Sequence, residues 1–520
     1  MKLNKTITLL TLAFSLNCYS LTDVINTQGL GINKASEKLN HLVFDTFNKS
    51  EFILSQEVGK PALPTKSYLF AAEPQDIQLD MKLINPRQIA NVKINPTLPE
   101  KCRCTDELTA QQKQFSFSEA TYQEHQVSVT KTYLGKFKGT PLTKVDVKLV
   151  SYDAANQALT IYDQVQINTN AKVFNYSGAR AENKNFLIVA PQGWENAVAD
   201  FVSHKTSMGF NMMTEFVTSP ENTKAAIQAK IKKYYTEQAV TFVMIVGDER
   251  TLPMFALATS SSSQTPSDLP YFLMDGATDH IPDMMASRIV ATTPTAALEQ
   301  LAKIIKQENM NATMLSDSKN IIGIASNEGS APSDADYITS INKSLSDKWR
   351  SKVTYLYQNN QNSTADGLNA AFNDGSYWLT YIGHGSGYAW PSMYDNYSTE
   401  DISAINNSEL TKPVIIDVAC QNGRLLADHL GSQFMNSTTK KANNGAAAYF
   451  GGSVNISWHP PALMARGIAF EHMNNNYSYL GEALFAGQLY LSKNWANAED
   501  VIDNVEWYHL QGDPSFSIKY

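Results

Sequence analysis

The sequence predicts an α/β protein with a mostly parallel sheet covered by helices on both faces, preceded by an all-β, sandwich-like domain. Three observations lead there. Residues 21–174 read as short β-type runs with partial period-two alternation, separated by turns. From residue 185 onward, compact apolar runs alternate with helix-like segments, the pattern of strands buried on both sides. Between the two textures lies a polar stretch, residues 175–184 (NYSGARAENK). With 520 residues the chain exceeds one ordinary core, and 43% hydrophobic against 18% charged residues is the balance of a folded globular protein.

The first element is a leader. Lys2 and Lys5 precede an apolar run over residues 7–16, and cleavage after Ser20 would leave Cys18 and Ser20 at the two small-residue positions. This is the layout of a secretory signal peptide over residues 1–20. Asn17 before Cys18 argues against a lipidated anchor. No later apolar run reaches 18 residues, so an exported, soluble mature chain is expected, periplasmic or extracellular. The front domain, residues 21–180, carries runs at 127–134, 143–152 and 159–168, the last two flanking a hairpin turn at Asp153-Ala154-Ala155-Asn156. The polar stretch that follows, with Arg180 and Lys184, is a site for proteolytic nicking. Over residues 185–520, strands are expected at 186–190, 241–246, 321–325, 353–356, 378–382, 414–419 and 446–450. Helices are expected at 194–208, 222–237, 296–307 and 336–346.

Net charge is −8 and no basic block stands out, which argues against a nucleic-acid partner. There is no HExxH or clustered His/Asp set for a metal-dependent hydrolase. Removing the leader leaves Cys102, Cys104 and Cys420. In an oxidising compartment an odd cysteine is an accident or a reactive thiol. Cys102 and Cys104, one residue apart, are either a strained disulfide or a pair of thiols; Cys420 is the thiol left over.

In open α/β sheets functional groups gather beyond the carboxyl ends of strands. The run at 377–382 leads into Gly383-His384-Gly385, and the run at 414–419 leads into Cys420. If these strands are parallel neighbours, an imidazole and a thiol emerge from one edge. A thiolate attacks a carbonyl, and the imidazole moves the proton. The N–H groups of Gly385 and Cys420 would then form an oxyanion hole, roughly 3 kcal/mol per donor. Taken singly, a Cys after an apolar strand is a small core residue and a His before Gly a turn residue. Their pairing at two strand ends, bounded by glycines, favours chemistry.

These segments, residues 381–390 (YIGHGSGYAW) and 416–423 (IDVACQNG), closely resemble the His and Cys motifs of gingipain-type cysteine peptidases, relatives of caspases and legumain. The resemblance continues through 185–190, 246–248, 445–458 and 512–516, and so covers essentially residues 185–520. It implies a caspase-like fold and a secreted cysteine endopeptidase made as a zymogen. It makes Cys420 and His384 a dyad that passes through a thioester acyl-enzyme. Asp283 matches the acidic position that orients the histidine, with a solvated loop carboxylate as the other reading. Trp458 and Met464 fall where relatives line the pocket for the residue before the scissile bond, or serve as core packing. The front domain looks like the family's propeptide through 59–64 and 152–161. It would act as an intramolecular inhibitor until cleavage near Arg180 or Lys184.

Protein or peptide substrates are implied and no cofactor is. Relatives sometimes hold structural calcium, but no loop has the spacing that predicts a site. Phe516 stands four residues before the last residue given, and the family's later modules are not expected. No acidic residue stands out as a selector for Arg or Lys. Two other readings keep the fold: a transpeptidase or sorting enzyme, and a catalytically inactive secreted binding protein.

Overall fold

A computed structural model describes residues 21–27, 32–36, 39–44, 52–94, 96–104, 127–178, 184–315, 319–329, 332–436 and 443–518. The leader and Arg180 lie outside the described residues.

The front of the chain is a β-sandwich. In one sheet the long strand Ala158–Thr169 pairs antiparallel with Leu79–Ile89 on one side and with Leu21–Asn26 and Ser151–Asp153 on the other. In the second sheet, Pro64–Phe70, Thr140–Lys148 and Val129–Phe137 run antiparallel, with Ile53–Leu54 at the edge. Tyr68, Phe70, Val145 and Val147 from one sheet meet Ile161, Val165 and Ile167 from the other in a single apolar cluster. Inward residues at every second position are what two facing sheets require. The turn after Ser151–Asp153 forms as the sequence predicts: the Asp153 carboxylate accepts from the Asn156 N–H at 3.1 Å, and Gln157 takes the left-handed conformation.

The α/β domain is built on ten strands: β1 (Asn185–Pro191), β2 (Asn211–Val217), β3 (Phe242–Val246), β4 (Met285–Ile289), β5 (Ile321–Ala325), β6 (Val353–Tyr357), β7 (Trp378–Ile382), β8 (Val414–Val418), β9 (Ala448–Gly452) and β10 (Tyr508–Gln511). Their order across the sheet is β2-β1-β3-β4-β10-β9-β8-β7-β5-β6. All neighbours are parallel except β9 and β10. The sheet is therefore two parallel halves running in opposite directions, joined at one antiparallel pair. Strands β3, β5, β7, β8 and β9 are buried at every residue, which is why their sequences are unbroken apolar runs.

Helices α1 (Glu195–Ser207), α2 (Lys224–Gln238), α3 (Pro294–Asn311) and α4 (Asp334–Trp349) alternate with strands. Further along come α5 (Ala365–Asn373), α6 (Leu430–Asn436), α7 (His459–Asn475), α8 (Leu480–Asn494) and α9 (Ala498–Trp507). Threonine hydroxyls cap α2 and α3, and α4 opens with a reciprocal Ser333/Asp336 capping box. Strands β2, β4 and β10 were not predicted. β2 is half-buried at most positions, and β4 and β10 carry Arg288, His509 and Gln511, which interrupt the apolar signal.

Of the places where the front domain packs on the α/β domain, three bear on the site. The hairpin between Val129–Phe137 and Thr140–Lys148 donates its Lys136 N–H to Asp279 at 3.1 Å and its Lys138 N–H to Asp283 at 2.6 Å. Phe137 stacks on Phe485 at 4.7 Å between ring centres. Glu100 accepts from the His459 N–H at the start of α7, at 3.2 Å. The third place is the segment after Glu100, which enters the cleft described next.

Candidate active site

Strands β7 and β8 are adjacent and parallel, with Ile382 opposite Val418. His384 and Cys420 therefore leave the same edge of the sheet, as the sequence implies. Cys420 is the free cysteine among the described residues, and it is fully buried. Gln421, in the left-handed conformation, turns the chain sharply after it. Gly385 passes so close that a Cβ there would stand 2.4 Å from the Cys420 carbonyl oxygen and 2.7 Å from its nitrogen. No residue but glycine fits, and the Gly385 N–H is left facing the cleft.

The cleft is filled by the front domain's Cys102-Arg103-Cys104. This segment is held like a substrate strand. The Arg103 N–H donates to the Ile456 carbonyl at 3.0 Å, and Cys102 bridges antiparallel to Ser457. On the other side Cys104 bridges Gly385, whose N–H donates to the Arg103 carbonyl oxygen at 3.3 Å. His384 Nδ1 lies 3.0 Å from the same oxygen. Cys102 and Cys104 are joined as a disulfide, resolving the alternative left open by the sequence. The Cys102 sulfur lies 3.7 Å from that of Cys420.

The Arg103 side chain is fully buried in a pocket beyond the cleft. Its Nη1 and Nη2 each donate to Asp334 at 2.8 Å, a bidentate pair, and Nε donates to the Trp458 carbonyl at 2.8 Å. The guanidinium sits 4.4 Å from the centre of the Trp458 ring. Ser326 donates its hydroxyl to Asp334 at 2.6 Å. Two buried charges are tolerable only when paired and hydrogen-bonded in this way. Asp334 is the first residue of α4, fixed by the capping box and favoured by the helix dipole.

Burial pushes the Cys420 thiol up to about 12, against the lowering effects of the Ile456 N–H and of the neighbouring Arg103. With the segment seated, Cys420 is a neutral thiol. Beneath it, burial also raises Asp417 to about 7, and that carboxyl accepts from Tyr449 and from Trp390 Nε1.

Two predicted residues have other places. Asp283 does not orient His384. The ring nitrogens of His384 are taken by Arg103 and, at 2.9 Å, by Glu328. Asp283 precedes β4, on the same sheet edge as Cys420 but three strands from β8, a span of about 14 Å at ordinary strand spacing. It accepts from Lys138, Met274 and Tyr235 instead. Met464, in the second turn of α7, belongs to the main apolar core; of the two pocket residues expected, Trp458 is the one that holds the guanidinium. Arg103, Asp334 and Glu328 escaped the sequence reading. Asp334 looks like any acid in a first helical turn, and Arg103 could have been noticed only as a cation framed by two cysteines.

Among the described residues, two groups of side chains bring potential metal ligands within 4.8 Å of one another: Cys102, Cys104 and Cys420, and Asp275, Asp279 and Asp283. Two thiols of the first are committed to a disulfide. In the second, Asp279 and Asp283 already accept front-domain N–H groups.

The fold, with a buried thiol and an imidazole leaving adjacent parallel strands at one sheet edge, is that of a caspase-like domain. Residues 179–519 match Peptidase family C25, and the chain belongs to that family. It is 25% identical over 376 residues to gingipain R2 of Porphyromonas gingivalis strain W83, covering 69% of this chain and 49% of the relative. It is 24% identical over 355 residues to gingipain R1 of the same species, covering 65% and 34%. The chain thus spans about half the length or less of the curated relatives it matches. The crystal structure of the Arg-specific cysteine proteinase gingipain R superposes with a TM-score of 0.59 at 23% identity, over 66% of this chain and 80% of that one. A complex of RgpB pro- and mature domains from Porphyromonas gingivalis gives 0.57 at 24% identity, over 64% and 79%.

Proposed function

We propose that this chain is an exported cysteine endopeptidase that cuts after arginine and is made as a zymogen blocked by its own front domain. The observation that carries this reading is Arg103, seated with its carbonyl on Gly385 and His384 and its guanidinium on Asp334. A bidentate, fully desolvated carboxylate selects guanidinium over ammonium, because the planar fork matches its two oxygens.

In the proposed reaction Cys420 attacks the carbonyl carbon of a substrate arginine. The C–S bond forms as the C–N bond breaks, and the thiol proton passes through His384 to the departing amine. The Gly385 N–H, with that of Cys420, takes up the negative charge on oxygen. Water then splits the thioester, its hydroxyl going to the acyl carbon and its proton returning to Cys420. Glu328 holds His384 from the far side and takes the positioning role first expected of Asp283. Latency follows from occupancy: while Arg103 fills the pocket, no substrate enters. Export is supported by the leader-like residues 1–20 and by a disulfide, which persists in oxidising compartments. Among the described residues no helix is long and apolar enough to cross a membrane.

The test is cleavage of a peptide library by matured wild type beside Cys420→Ala, with the products read by mass spectrometry. Cuts after arginine by wild type alone are expected. Cleavage by both proteins, or no preference for arginine, would overturn the reading.

A further inference from the structure

The peptide link placed where a substrate is cut, Arg103–Cys104, is spanned by a disulfide between the residues on either side of Arg103. We infer that this disulfide is a redox gate on self-cleavage at Arg103–Cys104: closed, it makes the front domain a self-resealing inhibitor; reduced, it makes the same segment a substrate. The inference rests on the reading of Cys420 as an arginine-directed nucleophile.

Both sides of the link are held. Cys102 bridges Ser457, Cys104 bridges Gly385, and the Arg103 carbonyl oxygen lies against Gly385 and His384. The Cys104 N–H, the amine that would depart, donates to the Cys102 sulfur at 3.1 Å. Attack by Cys420 on the Arg103 carbonyl carbon forms a C–S bond, breaks the C–N bond and leaves Cys104 with a free amine. In an ordinary substrate that half diffuses away and water enters. Here the S–S bond keeps the Cys104 amine beside the thioester, at an effective concentration on the order of 10⁵ M or more. The amine attacks back, the C–N bond re-forms, the Cys420 thiol is released, and nothing has changed.

A dithiol reductant alters the outcome. It gives two electrons and two protons to the disulfide and becomes a disulfide itself, leaving Cys102 and Cys104 as thiols. The half beginning at Cys104 then departs after the cut, and water takes the thioester to the free Arg103 carboxylate. The 3.7 Å between the Cys102 and Cys420 sulfurs also permits a rival event, attack of Cys420 on Cys102 with Cys104 leaving as thiolate. That event would store the nucleophile in a covalent bond.

The experiment uses the full chain in reductant-free buffer: wild type, the Cys102→Ala/Cys104→Ala variant, and that variant with Cys420→Ala. Fragments ending at Arg103 are followed by mass spectrometry, with a non-reducing peptide map of wild type. The double variant should accumulate the cut at least about tenfold faster than wild type, a floor set by the effective concentration of the tethered amine. The triple variant should stay whole. Equal accumulation in wild type and double variant would overturn the gate, and so would a Cys102–Cys420 link in the map. Each protein is also freed of its front domain by an added protease and assayed on an arginine peptide. If the freed double variant cuts the peptide but never cut itself, the gate fails and the active-site reading stands. If freed wild type does not cut the peptide, the active-site reading fails and the gate with it. Should the double variant not fold, wild type with and without dithiothreitol gives the same comparison. Self-cleavage must then rise more than the activity of the freed domain does under the same reductant.

Discussion

Asp334 holds two of the arginine's donors at once, and no water reaches the pair. Removing one partner of a buried, hydrogen-bonded charge pair typically costs about 3–5 kcal/mol, a factor of roughly 150 to 5,000. Asp334→Asn should therefore lower kcat/KM for arginine peptides by that order, measured on matured enzyme against a wild-type control. Trp458 adds its ring face and its carbonyl to the same cation. A cation over a desolvated aromatic face is worth about 2 kcal/mol, so Trp458→Ala should weaken binding of arginine substrates by roughly thirtyfold. A smaller effect on peptides lacking arginine would separate recognition from folding.

At the scale of elements, the pocket depends on where α4 begins. Ser333 and Asp336 cap its first turn reciprocally, and Asp334 is held between them at the first helical position. Loss of the cap hydroxyl costs about 1 kcal/mol of stability. Ser333→Ala is expected to lower the unfolding free energy by about that amount and to raise KM for arginine peptides. It should leave kcat nearly unchanged, since Cys420 and His384 lie on other elements. The link between β7 and the His384 loop behaves differently. Gly385→Ala places a methyl 2.4 Å from the Cys420 carbonyl. The two strand ends must separate to admit it, so kcat should fall at least about a hundredfold, the cost of losing one oxyanion donor.

Over the whole molecule, the front domain is held by Arg103, by the hairpin on Asp279 and Asp283, and by Glu100 on α7. Burial, aided by the Asp500 carboxylate, raises Glu100 to about 7 from an ordinary value near 4.5. Arg103 and the His459 N–H oppose the shift, and His459, pushed down to about 4 by burial, stays neutral over most of the range between. A carboxyl whose value is raised on docking binds a proton more tightly in the docked state. Its contribution to docking is fully present below about 4.5 and is lost as pH rises through about 7. Dissociation of a nicked front domain should therefore become easier with rising pH, by at most about tenfold per unit for one proton, and level off above 7. Glu100→Gln should flatten that profile, as read by the rate at which latency is lost at fixed pH values.

The sequence by itself determined the two textures, seven of the ten strands of the main sheet and the place of His384 and Cys420 beyond the ends of adjacent strands. Each rests on a local signal: unbroken apolar runs, or a reactive residue set between glycines at a strand end. Three things came only with the tertiary structure. The sheet's two halves run in opposite directions because β10, a short strand with polar residues, inserts between β4 and β9. That reversal carries Asp283 to the edge where Cys420 lies, yet three strands from it, which no spacing along the chain can reveal. The arginine pocket is assembled from residues 103, 326, 334 and 458, and an ion pair across 231 positions leaves no periodic trace. Local patterning records what each segment needs to bury. Which charge meets which is decided when distant segments pack and exclude water between them.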